Sequence, residues 1–85
     1  MRNLEATRNE IDQLDDALVK LLKRRLELSL EVKEIKKTDS TGIFDPQREE
    51  KIIQRLQEAL PEEHHGYLSA LYTLIFKYSR SLQSK

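Results

Sequence analysis

From Ile11 to Ile35 the apolar side chains recur three or four positions apart: Ile11, Leu14, Leu18, Leu21, then Leu28, Val32 and Ile35, with position 25 completing the run. That alternation is the seam of a helix lying lengthwise against other helices. No glycine or proline interrupts Asn3 to Lys36, and Leu, Glu, Lys and Arg dominate the stretch, so one long helix is predicted over about 3–36. Two breaks follow. The first is Thr38-Asp39-Ser40-Thr41-Gly42 with Asp45-Pro46 just behind it; the second is Pro61, with Gly66 close after. Asp45 as N-cap and Pro46 at the first helical position start a second helix, predicted over about 46–59. A third occupies about 62–83. The expected fold is all-α, three helices in a single domain spanning residues 1–85.

Composition adds a constraint. A chain of 85 residues buries only roughly 60–65% of its unfolded surface, so its core is marginal and oligomerisation is the expected supplement. The absence of cysteine excludes disulfides, thiolate metal sites and thiol catalysis together. Fifteen basic residues balance fifteen acidic ones, which gives no overall field toward nucleic acid or an anionic membrane. Met1 to Asp12 is polar, and no run of ~18 apolar residues occurs. The expectation is a soluble, cytoplasmic protein with no nucleic-acid or membrane partner, whose anion specificity, if any, is local.

Polar residues interrupt the apolar stripes at particular places. Position 25 in the leucine seam is an arginine, which must meet either a structural glutamate or an anionic ligand, because an unpaired interior charge is strongly unfavourable. Lys36 lies eleven residues on, about three turns, and projects from nearly the same face. On the third helix the stripe Leu68, Tyr72, Ile75 continues into Ser79 and Gln83, either because it surfaces as the helix frays or because a polar site is built there. Asp45-Pro46-Gln47-Arg48-Glu49 reads by itself as a capped, solvated first turn. Glu62, Glu63, His64 and His65 do not make a metal site, since adjacent helical side chains point apart.

Taken together, Arg8, Arg25, Lys36, Asp45, Arg48, Glu49, Ser79 and Gln83 resemble, in order and spacing, the active-site set of AroQ-type chorismate mutases. The segments Ile11-Asp12-Gln13-Leu14-Asp15, Arg24-Arg25-Leu26-Glu27-Leu28 and Asp45-Pro46-Gln47-Arg48-Glu49 are similar too, and the resemblance covers nearly the whole chain. It implies isomerisation of chorismate to prephenate, without metal or organic cofactor, in phenylalanine and tyrosine biosynthesis. Arg8 and Arg25 would grip the two carboxylates, with Ser79 and Arg48 assisting. Lys36 and Gln83 would donate to the ether oxygen, and Glu49, with the backbone near Asp45, would hold the ring hydroxyl. The catalytic group is then Arg25, Lys36, Glu49 and Gln83.

Geometry adds a second chain. Arg8 and Arg25 are seventeen residues apart, about 25 Å along one helix, so they cannot both reach one small ligand from one chain. If the first helix packs antiparallel on its twin about a two-fold axis near Leu18 and Val19, Arg8 of the second copy falls beside positions 29 and 30, between Arg25 and Lys36. A helix of about 50 Å also exceeds what a globule with a radius of gyration near ~12 Å can cover. The expectation is an intertwined homodimeric bundle with shared sites. Two alternatives belong to other classes: isochorismate pyruvate lyase on the same fold, which as a family lacks the residue matching Glu49, and a non-catalytic dimerisation or regulatory module. A stand-alone enzyme and a domain of a larger fusion would read alike.

Overall fold

The computed structural model describes residues 3–36 and 45–84. Among them the architecture is helical throughout: α1 (Leu4–Lys36), α2 (Pro46–Gln57), a short 3-10 turn (Glu62–His64) and α3 (His65–Gln83). Asn3 opens α1. Its side-chain oxygen accepts from the Ala6 N–H at 2.7 Å, satisfying one of the donors that every helix start leaves open. The break at Thr38 to Gly42 lies outside the described residues.

At α2 the expected cap is in place. The Asp45 carboxylate accepts from the Arg48 N–H at 3.0 Å, and Pro46 follows in the first helical turn. The helix ends at Gln57, two residues earlier than the pattern suggested. The cause is local: Pro61 disfavours helical geometry at the residue before it, Leu60, and the last turn tightens to bonds from Ala59 N–H to Leu56 and from Leu60 N–H to Gln57, each 3.1 Å. The third helix likewise starts as a 3-10 turn before continuing as α3. His65 fixes that corner by donating from Nε2 to the Leu60 carbonyl at 2.9 Å.

α3 packs against both α1 and α2. Among the described residues the buried apolar side chains are Ile52 on α2 with Leu68 and Phe76 on α3, joined by two buried serines, Ser29 and Ser79. That is a thin core, and it gathers at one end. The chain measures 57 × 26 × 15 Å with a radius of gyration of 16.3 Å, where a compact chain of this length would have about 12 Å. The excess is α1. Along its first half Leu14, Leu18 and Leu21 are 65%, 52% and 68% exposed, although each such side chain gains about 1.5–3 kcal/mol when buried. No described helix is long and apolar enough to cross a membrane.

Candidate active site

Between the C-terminal half of α1, the start of α2 and the end of α3 lies a cavity of about 550 Å³, within the range of small-molecule sites. Each helix brings polar groups to it for a reason visible in its own sequence. α1 delivers Arg25, Ser29 and Lys36 because Ser29 stands roughly one turn beyond Arg25 and Lys36 roughly two turns beyond Ser29, on the stripe that faces α3. α2 points its capped first turn inward, so Asp45, Arg48 and Glu49 line the wall. α3 contributes Ser79 and Gln83 one turn apart, with Arg80 beside them.

Seven of the eight residues singled out in the sequence therefore surround one space: Arg25, Lys36, Asp45, Arg48, Glu49, Ser79 and Gln83. Arg8 does not. It is exposed on the first turns of α1, about 25 Å along the helix from Arg25.

Hydrogen bonds organise the α1–α3 side. Arg25 donates from Nη1 to the Ser79 hydroxyl at 3.2 Å, and Ser29 donates to the Arg25 carbonyl at 3.0 Å while lying 3.4 Å from the Ser79 oxygen. Gln83 donates from Nε2 to the Ser29 carbonyl at 3.0 Å. An amide nitrogen carries two hydrogens, so one is used in orienting the side chain and the second is left for a ligand. The Arg25 guanidinium lies 5.9 Å from the Tyr72 ring centre and 5.6 Å from that of Phe76, and the two rings meet edge-on at 5.6 Å. Aromatic faces attract a cation without neutralising it.

No carboxylate pairs with Arg25 among the described residues, so of the two partners open to it in the sequence, the structural glutamate is not there. Glu49 instead pairs with Arg80. Among the described residues five basic side chains (Arg25, Lys36, Arg48, Arg55 and Arg80) line the cavity against two acidic ones, Asp45 and Glu49. A chain with no net charge thus carries a locally cationic pocket suited to an anion.

Sequence reasoning did not single out Ser29, Arg55 or Arg80. Ser29 was detectable: it stands one turn beyond Arg25, a polar residue on the same inward stripe. Arg55 stands two turns beyond Arg48 and could have been flagged the same way. Arg80 had no such signal, because its pairing with Glu49 joins helices across the fold. The histidines stand away from this cavity with partners of their own, His64 near Glu63 at 3.4 Å and His65 on the Leu60 carbonyl.

Residues 7–84 match the family model described as chorismate mutase type II. The chain is 28% identical over 88 residues to a chorismate mutase of Methanocaldococcus jannaschii, an alignment covering 100% of this chain and 88% of the relative. It is 30% identical over 90 residues to a bifunctional chorismate mutase/prephenate dehydratase of Aquifex aeolicus, covering 100% of this chain but 25% of that protein. A T-protein of Enterobacter agglomerans is 44% identical over 57 residues, 66% of this chain and 15% of the relative. No solved structure matches the chain.

Proposed function

We infer that the chain, which belongs to the chorismate mutase type II family, is an isomerase converting chorismate to prephenate, and we propose the cavity between its three helices as the site. The reaction makes few demands. One ether C–O bond breaks as one C–C bond forms, and no proton, electron or fragment enters or leaves. A protein accelerates it by holding the compact chair form and by stabilising charge that grows on the ether oxygen. The single observation carrying the site assignment is that seven polar residues, drawn from three helices, converge on one cationic cavity.

In this reading Arg25, held beside the Tyr72 and Phe76 rings, binds one carboxylate with the Ser79 hydroxyl beside it. Arg48 assists at the mouth. Lys36 and the second N–H of Gln83 donate to the ether oxygen, an interaction that strengthens as that oxygen gains negative charge and so lowers the barrier. Glu49 accepts from the ring hydroxyl. The substrate's other carboxylate falls to Arg8 of a second copy.

The proposal therefore includes an intertwined homodimer. Its support is the exposed seam from Ile11 to Leu21, an apolar face about 16 Å long that one chain leaves in water. An antiparallel twin centred near Leu18 and Val19 would cover that face and bring the second copy's Arg8 beside Ser29. The proposed compartment is the cytoplasm, and no metal or organic cofactor takes part.

Loss of chorismate absorbance on adding purified protein, with prephenate identified as product, tests the activity. Silence toward chorismate, or release of salicylate and pyruvate from isochorismate at a higher rate, would overturn it.

A further inference from the structure

The pair formed by Glu49 and Arg80 carries a consequence for substrate selection. Glu49 sits in the first turn of α2 and Arg80 near the end of α3, thirty-one positions away, and their side chains are 22% and 31% exposed. We propose that Arg80 is a positioning residue: it fixes the carboxylate of Glu49 toward the cavity and offsets its charge, so that a hydroxyl can be recognised in a pocket built for a dianion. The inference rests on the reading of Glu49 as the acceptor of the substrate hydroxyl.

A free carboxylate in this place would work against binding in two ways. It would repel a dianion a few ångströms away, and its rotamers would have to be frozen on association. The pairing addresses both. Arg80 engages Oε2, a charge-assisted bond that sets the carboxylate plane, while Oε1 has no protein donor among the described residues and is left to accept from a ligand. A plain tether between α2 and α3 is the competing account. That packing has ties elsewhere, in buried Ile52, Leu68 and Phe76 and in the bond from Gln57 to the Ser69 hydroxyl at 3.3 Å.

The test is steady-state chorismate turnover by E49Q, R80Q, R80K and the double variant E49Q/R80Q, with helical content checked by circular dichroism. E49Q is expected to lower kcat/KM about ten- to a hundredfold, the range of a hydrogen bond to a charged group. R80Q should lower it about tenfold, dividing the loss between kcat and KM as E49Q does, and R80K should recover most of it. In the E49Q background R80Q should cost less than about twofold, since the group it positions is already gone. Equal losses in both backgrounds, an R80K as poor as R80Q, or a chain that no longer folds as R80Q would each overturn the inference. If E49Q itself keeps wild-type kcat/KM, the reading of Glu49 fails. If E49Q falls and R80Q does not, only the role of Arg80 fails.

Discussion

Arg25 reaches across 3.2 Å from α1 to the Ser79 hydroxyl on α3, and among the described residues its guanidinium is flanked by two aromatic rings rather than an acid. The fold thus holds a cation in place with neutral groups and leaves its charge available. A structural ion pair would have consumed it.

Replacement of Arg25 by Met follows from this. Turnover is expected to fall at least about a hundredfold, since a charge-assisted contact to substrate carboxylate is lost. Stability should change little, within about 1 kcal/mol: one hydrogen bond and the ring contacts go, while a poorly solvated charge is exchanged for apolar packing. Ser79 keeps Ser29 as a neighbour at 3.4 Å. Thermal unfolding of the unliganded protein decides, and a loss of about 3–5 kcal/mol would mean that Arg25 has a structural acid as its partner.

The placement of Arg8 leads to a complementation experiment. Arg8→Ala and Arg25→Ala proteins should each be nearly inactive. Unfolded together in equal amounts and refolded, they should recover about a quarter of wild-type activity, because half the dimers are mixed and each mixed dimer has one intact site. Proven subunit exchange with no recovered activity would exclude a site completed by the second copy.

The helices were legible in the sequence where local rules act. The uninterrupted run from Asn3 to Lys36 and the Asp45-Pro46 cap needed no tertiary information, and both elements start where those signals put them. The end of α2 was misjudged at Ala59 because the influence of Pro61 extends back through Leu60 to the whole last turn. Ser29 was visible as a stripe position. Arg80 was not: a cross-helix ion pair leaves no period in the sequence, and Arg80 read alone is an ordinary solvated arginine.

Leu18 offers a test of the proposed dimer that avoids the active site. It is 52% exposed in the single chain, so Leu18→Ala in a monomer should alter stability by no more than about 0.5 kcal/mol. At the centre of a helical seam the same change removes buried methyl groups and should cost about 2–5 kcal/mol. The wild-type Tm should also rise with protein concentration, as it does when folding and association are linked. A Tm independent of concentration, with a negligible effect of Leu18→Ala, would leave α1 without its partner and the dimer without support.

Gln83 permits the most direct probe of the ether-oxygen contact. Its Nε2 already gives one hydrogen to the Ser29 carbonyl at 3.0 Å, so the amide is oriented before substrate arrives and donates its second hydrogen at every pH. Glutamate in its place has the same shape but a single proton, and only while un-ionised. Two acceptors, the Ser29 carbonyl and the substrate ether oxygen, would then compete for that proton. Gln83→Glu is therefore expected to be slower than wild type even in acid, and to lose activity tenfold per pH unit once pH exceeds the pKa of the new carboxyl group. Burial and the Ser29 carbonyl favour the protonated form and push that pKa above the ~4.3 of a free glutamate, whereas Lys36 across the cavity pulls it down. Wild type should show no corresponding fall between about pH 5 and 8, because its donor does not titrate. The measurement is kcat/KM against pH for the two proteins side by side. A Glu variant that matches wild type in rate and profile up to pH 8 would show that the side chain at this position gives no hydrogen bond to the ether oxygen, and Lys36 would then be left as the donor there.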